Sequence, residues 1–192
     1  MSGRRKESGM DQSGETHPEV EKLRRNLAEH CDAATAGEIA GGVPLPPSAD
    51  DKQKTAWVRH VVDALDRRFD PETIQRIRMG CHCGEAGRLG EMKTWLGGLY
   101  RAASGLEDFV AKVNEHGAGW HLEGGTICTK FPRCECRMVQ GIDILPSDTW
   151  CKCTVGYTRN LFEHIFGRPV KCELTQSIKR GANHCVVKVT PS

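Results

Sequence analysis

Apolar residues recur with the period of an α-helix from Pro18 to about residue 117. Prolines, glycines and capping residues separate the periodic segments, and the linker at residues 41–50 holds three prolines and two glycines. Ser48 or Asp50 is predicted to cap the helix that follows. The apolar stripes are Val20, Leu23 and Leu27; Val58, Val61, Val62, Leu65 and Phe69; Leu89, Met92, Leu96 and Leu99; and Leu106, Phe109, Val110 and Val113, with a further short helix predicted from Pro71 to Met79.

The period changes to two after this helical half. Residues 120–131 alternate around Gly124-Gly125 and predict a β-hairpin. Residues 154–167 predict a helix, and two alternating runs around Gly181 predict a second hairpin. The pattern therefore predicts an α+β fold, with a helical N-terminal half packed on a C-terminal antiparallel sheet in the order β-β-α-β-β. It predicts three regions: a disordered tail (1–17), a helical region (18–117) and a cysteine-rich α+β domain (118–192).

Composition narrows the class of protein. The 192 residues carry a formal net charge of +2, which is too small to indicate a nucleic-acid partner. No apolar run is long enough for a membrane span, and the N-terminal segment has no apolar stretch typical of a secretory signal. We expect a cytoplasmic protein that does not cross a membrane.

Ten cysteines are the chemical signal of this sequence, and three pairs of them have the spacing Cys-x-Cys. In a reducing compartment such pairs bind metal or carry out thiol chemistry more often than they form disulfides. Cys134, Cys136, Cys151 and Cys153 could supply the four thiolates of a tetrahedral zinc site. Each pair is predicted to direct both sulfurs to one point if its segment is extended. The alternative is that these cysteines are small buried apolar residues.

The other cysteines leave more alternatives open. Cys172 and Cys185 lie on the apolar faces of their predicted strands. They could be core residues or, if the strands pair, could complete the metal site or form a redox pair. Cys81 and Cys83 flank His82 at a helix junction, where a following helix would lower a thiol pKa. This segment could hold a reactive thiol or a second metal site, or could be a buried turn. Cys128 and His121 could share one face of the first hairpin, so a mixed Cys/His ligand set is conceivable. If the protein is an enzyme, Cys81, Cys83 and Cys128 are its candidate catalytic thiols.

The segment CKCTVGYTRNLFEHIFGRPVKCELTQSIKRGANHCVVKV resembles the C-terminal half of the vinyl-reductase-type ligand-binding domains, which are related to the haem-nitric-oxide-binding domains. It is also similar to the amino-thiazoline-carboxylate hydrolase-like proteins. The resemblance implies an often dimeric α+β fold that binds a small hydrophobic or aromatic molecule. It also implies a structural zinc held by Cys151 or Cys153, Glu173 and Cys185. Gln176 and Ser177 stand where that family has a further cysteine.

These observations predict a small-molecule-binding or sensor protein with a cysteine-ligated zinc site. One alternative is a thiol- or metal-dependent enzyme, similar to a hydrolase, that acts on a small substrate. Another is an iron–sulfur redox protein. A homodimer is expected from the resemblance alone.

Overall fold

The computed structural model describes residues 16–82 and 86–191, except for the side chains of residues 86 and 87. Cys83 and most of the predicted tail lie outside the described residues. None of the described helices is long and apolar enough to cross a bilayer. The helices are α1 (Pro18–Leu27), α2 (Ala33–Gly41), α3 (Asp51–Arg68), α4 (Pro71–Gly80), α5 (Ala86–Arg101), α6 (Leu106–Asn114) and α7 (Cys153–Phe166); 3₁₀ turns are at Thr149–Lys152 and Ile178–Arg180.

Aspartates cap the N-termini of three of the helices. Asp50 accepts a hydrogen bond from the backbone N–H of Gln53, whose side chain in turn accepts from the N–H of Asp50, so the predicted cap is confirmed as a capping box. Asp32 caps α2 by accepting hydrogen bonds from the backbone N–H and the side-chain hydroxyl of Thr35. The sequence pattern does not predict α2, because the buried positions of this helix are mostly alanines and its apolar stripe is weak.

Asp70 caps α4, and this cap makes stability depend on pH. Hydrogen bonds from the side chain and backbone of Thr73 and from the N–H of Glu72 lower the pKa of Asp70 to about 2. A carboxyl group whose pKa is lower in the folded state stabilises the fold above its unfolded pKa of about 3.9 and loses that contribution as the pH falls towards 2. We therefore expect the thermal midpoint of the wild type, relative to Asp70→Asn, to fall between pH 4 and pH 2. Parallel pH profiles for the two proteins would contradict this expectation.

The predicted tail ends earlier than residue 17. The backbone N–H of His17 donates to the Leu45 carbonyl over 3.0 Å, and its Nδ1 accepts from the N–H of Glu19 at the start of α1. His17 therefore belongs to the folded part of the chain, because it caps α1 and connects it to the linker before α3.

The C-terminal half contains one antiparallel sheet, as predicted. Its strands are β1 (His121–Glu123), β2 (Thr126–Phe131), β3 (Val170–Gln176) and β4 (Cys185–Pro191), in the order β1-β2-β4-β3. The two hairpins join through β2 and β4, and α7 packs on one face of the sheet. The fold is thus α+β, with its helices mainly in the N-terminal half. β3 ends at Gln176 after a bulge, before the apolar residue Ile178 that the alternating pattern had included.

Two apolar cores hold these elements together. One core is formed by α1–α4 and by residues of the long loop before α7, including Val139, Leu145 and Trp150. The other is formed by α5, α6, α7 and the inner face of the sheet. The packing crosses the boundary predicted between residues 117 and 118, because the loop that completes the first core comes from the C-terminal half.

Helices α4 and α7 come into backbone contact between these cores. A Cβ atom placed on Gly156 would overlap the Met79 carbonyl oxygen and would lie 2.7 Å from its carbon and 2.8 Å from its Cα. Only glycine allows this approach. The contact places the end of α4, with Cys81, beside the start of α7, with Cys153.

Candidate functional site

The second Cys-x-Cys pair is helical rather than extended. Cys151 lies in the 3₁₀ turn Thr149–Lys152, and Cys153 is the first residue of α7. Residues i and i+2 on a helix point about 200° apart, so these two thiols point in different directions. The prediction of an extended pair is therefore wrong, although Cys153 is still near enough to Cys151 to raise the pKa of its thiol. One thiol lies towards the sheet and the other towards α4.

Three thiols from separate segments gather on the sheet side, and we call Cys134, Cys151 and Cys185 the Cys151 group. Burial above all, together with the nearby thiols of Cys153, Cys185 and Cys134, raises the pKa of Cys151 to about 12, although the hydrogen bond from Ser177 opposes the shift. The Ser177 hydroxyl donates to Cys151 Sγ over 3.2 Å. Cys134 lies in the loop after β2, and Cys185 begins β4. Residues distant in the sequence thus place their thiols near one another.

Hydrogen bonds and a lysine act on the same group. The backbone N–H of Ile178 donates to Cys185 Sγ over 3.4 Å. Burial raises the pKa of Cys134, while a hydrogen bond from the Cys136 backbone and the charge of Lys179 lower it. Lys179 is only 9% exposed, and its ammonium group donates to the Ile142 carbonyl. The Cys151 group therefore already contains donors and a buried cation that favour thiolates.

The remaining thiols surround a buried arginine, and we call Cys81, Cys136, Cys153 and Arg78 the Arg78 group. Burial lowers the pKa of Arg78, but Cys81, Cys153, Glu19 and Cys136 favour its charged form and raise the pKa overall. Arg78 is 2% exposed, and its Nη2 donates to the Trp150 carbonyl over 3.0 Å. Among the described residues, Arg78 Nε has no hydrogen-bond partner.

A buried guanidinium with an unpaired donor is costly unless negative charge lies nearby. Arg78 stacks on the Trp150 ring at 4.0 Å from its centroid, and Trp150 Nε1 donates to Cys136 Sγ over 3.5 Å. The surroundings of Arg78 therefore suit thiolates better than neutral thiols. Sequence reasoning missed Arg78 and Lys179, since a basic residue in an amphipathic segment is ordinarily interpreted as surface.

Cys172 and Glu173 do not belong to this site. Cys172 pairs with Val189 and lies in the core beneath α7, whereas Cys185 pairs with Phe131 four positions away along β4. The expectation that strand pairing could bring the sulfurs of Cys172 and Cys185 together is wrong for this register. Glu173 is opposite Lys188 on the outer face of the sheet, and the sheet separates it from the Cys151 group. The ligand role that the resemblance implied for Glu173 is therefore not supported.

The segment expected to hold a reactive thiol is buried at the end of α4. Cys81 is 1% exposed, its thiol donates to the Ile77 carbonyl over 3.4 Å, and burial raises its pKa although Arg78 opposes the shift. The prediction of a lowered pKa is therefore wrong for Cys81, and Cys83 lies outside the described residues. His82 is half-buried, and burial, with Lys22 and Lys93, lowers its pKa. Its Nδ1 has no partner in the described part of the chain.

The outer face of the first hairpin holds a tighter group, which we call the hairpin triad: His121, Glu123 and Cys128. One ligand atom of each lies within 4.8 Å of the others. His121 and Cys128 are directly opposite in the β1–β2 ladder, so the expectation that they share a face is confirmed. Over the described ranges, the three thiols of the Cys151 group do not all lie within 4.8 Å of one another.

A groove of about 560 Å³ lies beside the Cys151 group. It runs between the loop at residues 146–148 and the end of β3. Arg180 spans its rim, with Nη1 donating to the carbonyls of Leu145 and Pro146 over 2.6 Å. Ser177, which lines the groove, is the residue that donates to Cys151. Its lining is Pro146, Ser147, Asp148, Leu174, Thr175, Gln176, Ser177, Arg180 and Ala182.

The fold and the two thiol groups define an α+β protein with a partly buried set of cysteines between its helices and one end of its sheet. The chain belongs to DUF6144, a family of unknown function whose family model matches residues 17–192. No curated protein and no solved structure matches the chain significantly.

Proposed function

We propose that this protein binds a zinc ion through thiolates of the Cys151 group, and that the metal fixes the groove beside it as a small-molecule-binding site. Cys134, Cys151 and Cys185 are three of the ligands, and Cys136 or Cys153, the near neighbours of two of them, supplies the fourth. The observation that carries the proposal is the convergence of cysteines from three separate segments of the chain.

Charge supports the same proposal. Four thiolates on Zn²⁺ leave a net charge of −2, which is unfavourable in a buried site without cations. Lys179 lies beside Cys134, and Arg78 lies beside Cys136 and Cys153. Two buried cations next to the thiols compensate the charge that such a centre would carry.

The N-terminus of α7 adds an electrostatic field that favours thiolates. Lys152 occupies the N-cap position and makes no side-chain capping hydrogen bond, and Cys153 follows it. The N-terminus of a helix carries partial positive charge and stabilises thiolates in its first turn. Metal-bound thiolates near Cys153 would therefore be stabilised by this field.

The groove favours a polar ligand over the aromatic one that the resemblance implied. Its wall includes a carboxylate, a guanidinium, an amide and hydroxyl groups, with few apolar side chains. A molecule bound there would contact Ser177, one hydrogen bond from Cys151. Sensing would follow if ligand binding changed the hydrogen bond to this metal-bound sulfur. A homodimer and a cytoplasmic location are part of the proposal, and rest on the sequence alone.

The test is anaerobic purification followed by elemental analysis and a count of reactive thiols. We expect about one zinc per chain, in a colourless protein, with at least four thiols released to a thiol reagent only after denaturation. Stoichiometric iron with visible absorption would favour the iron–sulfur alternative. Metal-free protein whose thiols all react in the native state would overturn the proposal.

Alkylation rates distinguish the proposed binding protein from the alternative of a thiol enzyme. Burial raises the pKa of both Cys81 and Cys128, and each is 1% exposed. Because the thiolate is the nucleophile, we expect native Cys81 and Cys128 to react with iodoacetamide near neutral pH much more slowly than the same residues in denatured protein. Mass spectrometry of the labelled peptides measures this. Rapid labelling of either residue at neutral pH would move the enzyme interpretation to first place.

A further inference from the structure

The outer face of the sheet, opposite α7, carries the hairpin triad. His121 and Cys128 face each other across β1 and β2, and Glu123 follows His121 by two residues on the same face. His121 Nε2 lies 3.1 Å from Glu123 Oε1. Gly124 and Gly125, both with positive φ, close the hairpin in a tight turn that fixes the register of the three side chains.

We propose that His121, Glu123 and Cys128 form a second metal site, which binds zinc with three protein ligands and one open position. Imidazole, carboxylate and thiolate are the ligands that zinc takes in proteins, and three of them with an open position are typical of exchangeable or catalytic sites rather than structural ones. The triad differs from the Cys151 group in this respect, because two of its members are exposed.

A lysine competes with the metal for this site. Lys188 is directly opposite Cys128 on β4, and its Nζ lies 2.7 Å from Glu123 Oε2. Glu173, opposite Lys188 on β3, is the next charged group on this face. A bound metal ion would coordinate the Glu123 carboxylate and break its ion pair with Lys188. Occupancy of the triad is therefore expected to be weaker than that of the Cys151 group and to vary with metal concentration.

Space for a fourth ligand adjoins the triad. A cavity of about 130 Å³ on this face is lined by Glu123, Lys188 and the polar side chains of neighbouring strands. This volume exceeds the roughly 10–15 Å³ of accessible space that one water molecule needs. Two lysines and two glutamates line the cavity, so their charges balance and its wall is polar. The open position would therefore take water.

The triad is independent of the Cys151 group. Cys128 and Lys188 are on the outer face of the sheet, whereas Cys185 of the Cys151 group is on the inner face with Val187 and Val189. Substitutions at one site therefore leave the other intact, so the two proposals can fail separately.

Cobalt titration of the purified, reduced full-length protein tests the triad. Co²⁺ replaces zinc and gives a sulfur-to-cobalt absorption band in the near ultraviolet when a thiolate binds it. With the tightly bound metal left in place, we expect one further equivalent of Co²⁺ to bind with this band. Cys128→Ser should abolish the band, and His121→Gln should weaken binding at least tenfold. Lys188→Gln should tighten binding about two- to fivefold, since an exposed competing ion pair is removed.

Matched controls make the outcome decisive. His164 is an exposed histidine on α7, and Cys31 is a half-buried cysteine in the N-terminal half. His164→Gln and Cys31→Ser should titrate like the wild type. His121 is exposed, so its variant remains folded and informative even if Cys128→Ser does not fold.

Two outcomes would overturn the triad: no cobalt binding by the wild type, or an absorption band that is unchanged in His121→Gln. A band lost in Cys151→Ser but retained in Cys128→Ser would also overturn it, while supporting the Cys151 group.

Discussion

Cys151→Ser is expected to release the bound metal and to lower the thermal midpoint by roughly 10 °C. Cys151 is the central thiol of its group, since Cys134, Cys153 and Cys185 all influence its pKa. Losing a structural metal ligand costs on the order of 4 kcal/mol, and in a chain of this length each kcal/mol lowers the midpoint by about 2–4 °C. Elemental analysis and thermal unfolding of the same preparations measure both effects.

Cys172→Ser is the matched control for this experiment. Cys151 is 8% exposed and Cys172 7%, and burial raises the pKa of each to about 12. Cys172 lies in the core under α7, outside both thiol groups. Its serine variant should lose about 1–3 kcal/mol through burial of a hydroxyl group and keep its full metal content. Equal metal content in the two variants would contradict a metal centre at Cys151.

The fourth ligand is distinguished by further single variants. If Cys153 completes the site, Cys153→Ser lowers the metal content while Cys136→Ser does not, and the reverse holds if Cys136 completes it. The double variant of Cys151 and Cys153 should contain no metal in either case. Metal retained by that double variant would refute the assignment altogether.

Gly156→Ala is expected to destabilise the fold by at least about 3 kcal/mol. The added methyl group would meet the backbone of Met79, which cannot rotate away as a side chain could. Relief requires α4 and α7 to separate, and that would also move Cys81 away from Cys153. Chemical denaturation, together with the metal content of the variant, measures the effect.

Gly98→Ala in α5 provides the comparison. An added Cβ at Gly98 has nothing within 4 Å, so alanine there should stabilise the helix by about 0.5–1 kcal/mol. The two substitutions are chemically identical and are expected to have opposite signs. If Gly156→Ala lowered the free energy of unfolding by less than 1 kcal/mol, helices α4 and α7 would be able to separate at little cost, contrary to this prediction.

Most of the helices and strands, α2 excepted, could be predicted from the sequence, but the grouping of the thiols could not. Helical spacing located α3 and α7, and alternation located both hairpins and the shared face of His121 and Cys128. The Cys-x-Cys spacing indicated metal chemistry, yet its geometry depends on backbone conformation. A 3₁₀ turn at Cys151 separates that thiol from Cys153, and local periodicity in a short segment does not reveal such a turn.

Strand register and tertiary burial were the other unpredicted quantities. Whether Cys172 or Cys185 lies near the loop cysteines depends on which residues of β3 and β4 are opposite each other, and the bulge near Leu174 alters that register. Arg78 is buried because α4 lies between the N-terminal helices and the loop that carries Trp150. No pattern within α4 alone encodes that arrangement.

The first core has a consequence for how the chain folds during synthesis. Helices α1–α4 are translated first, but Val139, Leu145 and Trp150, which complete their core, are made much later. Until that loop leaves the ribosome, the apolar faces of α3 and α4 remain uncovered, and such nascent segments are the kind that chaperones bind. Cys185 is made later still, so the complete Cys151 group is available only when translation is almost finished. Folding of the N-terminal helices should therefore precede metal loading, and a ribosome-stalled chain that ends before residue 138 should remain protease-sensitive throughout its helical half.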